Sequence, residues 1–380
     1  MTGVLMLAAA LAAPVTDAQV NAGLDRVMRE FYWEPTSLIY TCPPSRVEPA
    51  STYTNGFKVW EKNGDYGRGL EDCAIVGGVA LSGVCDAYLV TRDERLRDVA
   101  RRIARGLVNL GTVHGVKGFI ARGICVEDGR SVCALSSIDQ HTHCLHGLWR
   151  YAKSPLFDEK ALGPDIRRVL PEVADRMTEQ VTEANDWSFQ QAVGHGTTRG
   201  ICKMRFNWPH EGMRLAMFYA AAWSVTGARK YFDLYRRYLD EDIEKSLELK
   251  TADGPKMRQL QGRMPDYTLL QMQTSLELVL AVEPDKAYRE RIRACMDKPA
   301  EMAAARAKRL KSGESRWLCG CGELQLAQLM VPGLAYPAEQ RTILENAIRD
   351  VPFASQASCV RVVHLYAAWW RWRRNALAAN

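Results

Sequence analysis

The chain has 380 residues, of which 47% are hydrophobic and 25% charged, a composition that is ordinary for a globular protein and sufficient for a large core. The formal net charge is +6, and because basic residues mostly alternate with acidic ones, the concentrated basic surface typical of nucleic-acid-binding proteins is excluded. No stretch rich in Pro, Gly or Ser marks a linker, so we predict one domain, no nucleic-acid partner and at most a weak preference for anionic ligands.

The first 18 residues resemble a secretory signal peptide. An apolar run of 12 residues, Gly3 to Pro14, is followed by a small-residue site that ends at Ala18. The run is too short for a membrane span, which needs about 20 apolar residues, and no later segment is predicted to span a membrane. We therefore predict a secreted or periplasmic protein in which residues 19–380 form the folded domain; a buried N-terminal helix is the alternative.

The first helical hairpin is predicted over residues 68–110. Residues 68–90 are apolar almost all round, as expected of a helix that is buried on every side. After a short turn at 91–93, apolar residues recur at helical spacing, which indicates a helix buried on one side: Leu96, Val99, Ile103, Leu107 and Leu110. An inner and an outer helix joined by a tight turn make one hairpin.

The same pairing of an inner with an outer helix returns along the chain. The predicted pairs are 138–153 with 163–184, 211–225 with the helix after Gly227, 266–282 with 286–310, and 320–331 with 337–350. Residues 360–375 are left without a partner, as is the helix at 20–33, and together they would close a ring of six hairpins. Because almost no segment alternates with a period of two, the sequence predicts an all-α fold.

Two of the inner-to-outer turns share one sequence motif, at Val90 to Leu96 and at Val225 to Tyr231. Each ends an apolar helix and begins a charged one with a polar cap. In this position the motif resembles the inner-to-outer turn of the six-hairpin glycosidase superfamily. The resemblance covers residues 68–375 as architecture, and it implies an (α/α)6 toroid of helical hairpins.

The long connections of this ring are 111–137, 185–210, 249–265 and 311–319, and each precedes an inner helix. Since the inner helices of such a ring all enter from the same side, these connections should meet at one mouth. Long connections in a compact domain are usually functional, so we expect the functional cleft at that mouth.

The first candidate site lies at the start of the second inner helix. Asp139, His143 and His146 fall at positions i, i+4 and i+7, so they share one helical face. A carboxylate with imidazole neighbours suits acid–base catalysis. Two other interpretations stay open, namely an N-terminal capping aspartate with core histidines and a metal site whose spacing matches no closed pattern.

Asp72 stands at the start of the first inner helix, where a carboxylate suits the helix dipole. Its position is equivalent to that of Asp139, which lies one hairpin later. The unsaturated glucuronyl hydrolase families of the superfamily place their two essential aspartates in this relation. The resemblance therefore implies Asp139 as the general acid/base and Asp72 as its partner.

Residues 205–211 precede the third inner helix and hold most kinds of sugar-binding group. Trp208 offers a flat apolar face to a pyranose ring, and Arg205 can pair with a carboxylate through two hydrogen bonds. His210 and Glu211 can transfer protons. The spacing of Asn207 and His210 is similar to that in toroid polysaccharide lyases, in which Asn and His act on a uronate. The alternative is a Pro-broken loop in which Glu211 caps the helix.

A further group of candidate substrate-binding residues precedes the next two inner helices: Asp266 and Tyr267, then Arg316 and Trp317. Tyr267 could donate a proton to the substrate, or it could be a surface tyrosine before a helix. Trp317 could be a second stacking platform for a sugar ring.

The chain has 11 cysteines, most of them on apolar helical faces, where packed free thiols are expected. Cys125 and Cys133 lie in one glycine-containing loop and could close it as a disulfide. Residues 319–321 are similar to the zinc-binding segment of lanthionine cyclases, but the downstream Cys-His-Gly is absent, because Cys359 is followed by Val360. We therefore expect no metal and no cofactor.

These features together predict a glycoside hydrolase that acts on uronic-acid-containing oligo- or polysaccharides. Asp139 would protonate the leaving group or activate water, and Asp72 would orient the reactants. Arg205 with His210 would hold the uronate carboxylate. Other interpretations stay open: a polysaccharide lyase with His210 or Tyr267 as base, a non-catalytic glycan-binding toroid, or a cytosolic sugar epimerase.

Overall fold

The computed structural model describes residues 14–58, 66–193, 202–252, 254–310, 315–351 and 359–379, without the side chains of residues 261–263, 315–319 and 379. The helices are α1 (Asp17–Glu30), α2 (Cys73–Thr91), α3 (Arg95–Leu110), α4 (Ile138–Ala152), α5 (Glu159–Gln180), α6 (Arg214–Thr226), α7 (Arg229–Thr251), α8 (Gly254–Arg263), α9 (Asp266–Val282), α10 (Lys286–Ala307), α11 (Ser315–Leu329), α12 (Ala338–Asp350) and α13 (Cys359–Ala379). The strands are two residues each and form two small pairs: antiparallel β1 (Tyr32–Trp33) with β2 (Leu38–Ile39), and parallel β3 (Phe57–Lys58) with β4 (Val132–Cys133).

Six of the helices form a closed inner ring. They pack side by side in the order α2, α4, α6, α9, α11 and α13, and α13 contacts α2. Outside the ring, α3, α5, α7, α10 and α12 each pack on the inner helix that precedes them, and α1 packs on α13. The fold is therefore an (α/α)6 toroid of helical hairpins, and the predicted fold class is confirmed. Helix α8 is an addition within the connection 249–265.

Helix α2 shows why an inner helix must be apolar on all sides. Nearly every residue from Cys73 to Tyr88 is buried, because α3, α4 and α13 all pack against it. Gly78 permits the close approach to α4, since a Cβ there would lie 2.1 Å from the backbone oxygen of His143. By length and composition α2 could also cross a membrane, but 83% of its apolar window is buried within the protein.

The predicted inner-to-outer turns are short and depend on left-handed backbone conformations. Arg92 ends α2 with φ of 57°, and Gly227 ends α6 with φ of 69°. The next helix begins within four residues of each. Glycine adopts this conformation at little cost, whereas Arg92 pays a modest steric penalty for it.

A buried network of charged groups fills the ring at the end opposite to the starts of the inner helices. Arg371 of α13 is at its centre and donates to Asp86 at 2.5 Å and to Glu277 at 2.6 Å. The other groups that bind these two carboxylates are Arg150, Arg374 and His146. Each buried charge has a partner of opposite charge, which is the condition for its burial.

The loop that contains Cys125 and Cys133 is held without a disulfide. Both thiols are buried and neither forms a disulfide, so the suggested pairing is not formed. The loop is closed instead by a backbone hydrogen bond from Cys125 to Ser131 at 2.7 Å and by Asp128, which accepts from the backbone amides of Arg130 and Ser131.

Candidate functional site

A cavity of about 390 Å³ opens at the end of the ring where the inner helices begin. Side chains from the starts of α2, α4 and α9 meet there with residues of α11, α13 and the connections that precede the helices. The lining includes Tyr66, Asp72, Arg122, Asp139, Gln140, His143, Tyr267, Gln271, Glu323 and His364. Because the N-terminal ends of helices are electropositive, this mouth suits negatively charged groups.

Asp72 precedes α2 and is held by residues of the neighbouring elements. Gln140 donates to its Oδ1 at 2.8 Å, and Nη1 of Arg122 lies 3.6 Å from the same oxygen. Burial raises the pKa of Asp72 above its ordinary value, although the charge of Arg122 opposes the shift; the charge of Asp139 adds to it. The two predicted aspartates therefore interact electrostatically across the cavity.

Arg122 was not predicted from the sequence and is the cation best placed in the cavity. Its guanidinium carbon lies 3.9 Å from the ring centre of Tyr66, and its Nη1 donates to the backbone oxygen of Glu71 at 3.0 Å. Its Nε is buried and has no hydrogen-bond partner among the described residues. The guanidinium of Arg122 therefore brings a positive charge to the cavity lining, where an incoming anion could pair with it.

Asp139 lies in the first turn of α4, and its side chain is 28% exposed. Nη1 of Arg214 lies 3.3 Å from its Oδ1. Arg214 is fully buried and also donates to Thr142 at 2.7 Å and to Gln271 at 3.3 Å, so its guanidinium is fixed by three neighbours. This arrangement fixes the orientation of the Asp139 carboxylate toward the cavity.

The predicted shared face of Asp139, His143 and His146 is present, but it divides between two sites. His143 lines the cavity, where burial and then the charges of His364 and Arg214 hold its pKa well below the ordinary value. His146 lies deeper and contacts Glu277 at 2.9 Å in the buried network. No group of three or more His, Cys, Asp and Glu side chains among the described residues is arranged to hold a metal ion.

Glu211 and His210 form a 3₁₀ turn, Pro209–Glu211, just before α6. Burial raises the pKa of Glu211 to about 7; Arg214 opposes this shift and the charge of Asp139 adds to it. Burial lowers the pKa of His210 to about 3, and the charge of Arg214 acts in the same direction. At neutral pH the imidazole is therefore uncharged, and Glu211 lies close to its titration midpoint.

None of the residues of segment 205–211, His210 and Glu211 included, is part of the cavity lining. Arg205 donates to both carboxylate oxygens of Glu241 on α7 and packs 4.4 Å from the ring centre of Trp187, in a separate cavity. Asn207 donates to the backbone oxygen of Lys203. Trp208 is half-buried against the core and is not part of the cavity lining. The charge of Arg205 is thus already matched by a carboxylate of the protein.

Tyr267 lines the cavity and its side chain is 45% exposed. Burial raises the pKa of its phenol, and further increases come from the charges of Asp139, Glu323, Asp72 and Glu211, in that order. Four carboxyl groups therefore surround this phenol.

Asp266 and two residues of α11, Arg316 and Trp317, complete the predicted set. Asp266 is buried at the start of α9 and pairs with Arg306 at 3.1 Å, so it supports the rim of the cavity from behind. The side chains of Arg316 and Trp317 lie outside the described residues.

Glu323 and His364 are the principal cavity residues that the sequence interpretation missed. Burial raises the pKa of Glu323 to about 8, and the charges of Asp266 and Asp72 add to the shift. His364 Nε2 lies 3.9 Å from Glu323 Oε1. A recognisable signal exists for both Glu323 and Arg214. Glu323 is the one acid of α11 and Arg214 the one charged residue of α6, and a charged side chain within a largely apolar inner helix is expected to face the axis of the ring.

No protein-family model matches the chain, and neither does any curated protein sequence. Among solved structures, the chain is similar to a glycoside hydrolase family 76 mannosidase from Bacteroides thetaiotaomicron VPI-5482. The match has 11% sequence identity and a TM-score of 0.36, and it covers 94% of this chain and 99% of the other. A likeness at this level transfers neither an activity nor a substrate to this chain.

Proposed function

We propose that this protein is a glycoside hydrolase that acts on uronic-acid-containing oligo- or polysaccharides. The observation that supports the proposal is the unequal environment of the carboxyl groups at the mouth. Asp139 adjoins the buried cation Arg214, whereas burial raises the pKa of Glu323 to about 8. Glycoside hydrolysis needs such a combination, in which one carboxylate stays ionised while another carboxyl group keeps its proton.

In this proposal Asp139 activates the attacking water and Asp72 orients the reactants beside it. Asp139 is partly exposed to the cavity, and its carboxylate is oriented by the fixed guanidinium of Arg214. Asp72 is held in place by the hydrogen bond from Gln140 and by Nη1 of Arg122, which lies 3.6 Å from the same carboxylate oxygen. A water molecule between the two carboxylates would be polarised from both sides.

Arg122 takes the role that the sequence interpretation gave to Arg205. A uronate carboxylate that enters the cavity can pair with the guanidinium of Arg122, which is part of the cavity lining. Charge-assisted hydrogen bonds of this kind are strong in a site that excludes water. The aromatic rings of Tyr66 and Tyr267 border the same space and offer apolar surface to the sugar ring.

The decisive test is Asp139→Asn, assayed on a panel of acidic polysaccharides and unsaturated uronate disaccharides. We expect turnover to fall by about 10²–10⁴-fold, the range supplied by a positioned acid or base. Asp98→Asn is the matched control, because Asp98 is exposed on α3, where it pairs with Arg101 at 2.6 Å and lies 3.9 Å from Arg102. Reducing ends report hydrolysis. The thermal midpoint of Asp98→Asn should stay close to that of the wild type, whereas that of Asp139→Asn should fall because buried Arg214 loses its charged partner, so activities are compared at a temperature at which circular dichroism shows both variants to be folded. Full activity of Asp139→Asn would refute the assignment.

The same assay separates the competing functions. A lyase would produce an unsaturated sugar that absorbs ultraviolet light, and a glycan-binding toroid would retain oligosaccharide without forming any product. Two shifts favour the hydrolase: the pKa of Tyr267 is raised by burial and that of His210 is lowered by burial, so both move away from neutrality. A base for β-elimination is most effective when its pKa lies near the working pH.

Export belongs to the proposal as well, with a revised cleavage position. Of the predicted signal peptide, residues 1–13 lie outside the described residues. Thr16 caps α1, and Asp17 accepts hydrogen bonds from Trp369 and Arg373 of α13, both at 2.8 Å. Cleavage after Ala18 would remove these bonds, so we place the cleavage before Thr16.

A further inference from the structure

Glu323 occupies the side of the cavity that faces Asp139. In the ring order α2, α4, α6, α9, α11, α13, helix α11 is three places from α4, so Glu323 and Asp139 approach the cavity from opposite walls. A sugar bound at the mouth would have one of these carboxyl groups on each side.

The neighbours of Glu323 favour the protonated carboxyl group. Nδ1 of His364 lies 2.7 Å from the backbone oxygen of Val360, so this nitrogen must bear a proton and donate it. In the neutral imidazole, Nε2 then presents a lone pair toward Glu323, at 3.9 Å. A lone pair that faces a carboxyl oxygen is favourable only when the carboxyl group carries a proton.

The charges around Glu323 act in the same direction. Among the described residues, no arginine or lysine forms an ion pair with it, in contrast to Asp72 and Asp139. The titratable groups that face it from the packed elements are Asp266 with its partner Arg306, Tyr267, Asp72 and His364. Burial and the two aspartates raise the pKa of Glu323 to about 8, and burial lowers the pKa of His364 to about 4.

We propose that Glu323 is the general acid of the hydrolysis, a role that rests on the function proposed above. The Glu323 proton passes to the glycosidic oxygen as the C1–O bond breaks and its electron pair moves to that oxygen. Water then bonds to C1 and gives one proton to Asp139. One glycosidic bond and one water molecule are consumed, and the proton returns from Asp139 to Glu323 through solvent.

The test compares two substrates of the same sugar in wild type, Glu323→Gln and the exposed control Glu290→Gln. On an oligosaccharide, whose leaving group needs protonation, Glu323→Gln should lose about 10²–10⁴-fold in kcat/KM. On a 4-nitrophenyl glycoside, whose leaving group departs as a stable anion, the loss should be far smaller. The alkaline limb of the wild-type pH profile, expected near pH 8, should disappear in this variant.

Each outcome bears on a different claim. An equal loss on both substrates with an unchanged pH profile would overturn the role of Glu323 as acid, and so would full activity of Glu323→Gln. If wild type cleaves no substrate, the proposed function fails and the catalytic role fails with it. Difference infrared spectra of the free protein separate the two failures, because a carboxyl band that ionises near pH 8 and is absent from Glu323→Gln would still identify the proton.

Discussion

Replacement of Arg371 by methionine should destabilise the toroid far more than the same replacement two residues further along α13. Arg371 is 2% exposed and donates to both Asp86 and Glu277, at 2.5 and 2.6 Å. Removal of one partner from a buried ion pair leaves uncompensated charge and typically costs about 3–5 kcal/mol. Here Arg150 and Arg374 still contact Asp86, so Glu277 suffers the larger loss.

Arg373→Met is the matched control, because Arg373 is 38% exposed and pairs with Asp17 on the surface at 2.8 Å. An exposed pair of this kind contributes about 0–1 kcal/mol. Urea unfolding followed by circular dichroism gives the free energy of unfolding of both variants and of the wild type. If the two replacements cost the same, or if Arg371→Met is more stable than the wild type, the buried network does not hold the ring in the way described.

Two further predictions concern charge at the mouth and at the opposite end of the ring. Arg122→Gln should raise KM for uronate substrates by about 10–100-fold, the worth of a hydrogen bond to a charged group, and should raise KM for neutral analogues far less. Equal effects on the KM of both classes would contradict recognition of the uronate. Although burial alone would raise the pKa of Asp86, the charges of Arg150, Arg371 and Arg374 lower it to about 2. The stability that Asp86 contributes is therefore present above its unfolded pKa of about 4 and is lost as the pH falls toward 2. Over that interval the urea midpoint of the wild type should fall more steeply with pH than that of Asp86→Asn. Parallel curves for the two proteins would contradict this linkage.

The ring was predictable because burial on every side leaves a plain mark in a sequence. Residues 73–88 are apolar all round since three helices contact α2, and the amphipathic stripe of α3 records contact on one side only. The mouth followed from the same pattern, because connections that precede inner helices must lie at one end. Asp72, Asp139 and His143 were accessible to this reasoning, and the structure places all three in the lining of one cavity.

The direction in which a loop side chain points was not predictable. Arg205 precedes α6 as expected, yet it turns outward because Glu241, 36 residues later on α7, offers it two carboxylate oxygens. Arg122 entered the cavity from a long connection with no local pattern to mark it. Glu323 had a mark, a lone acid in an apolar helix, but the sequence alone does not say whether such an acid meets an arginine or a neutral histidine.

The hairpin formed by α1 and α13 has a consequence for biosynthesis. The side chains of Asp17 and Trp369, joined by a hydrogen bond, are 352 positions apart in the chain. The annulus therefore stays incomplete, with apolar faces of α2 and α11 uncovered, until α13 docks against both helices. Contacts between such distant segments form slowly. Until that docking step is complete, this protein is most prone to associate with other copies or to engage chaperones.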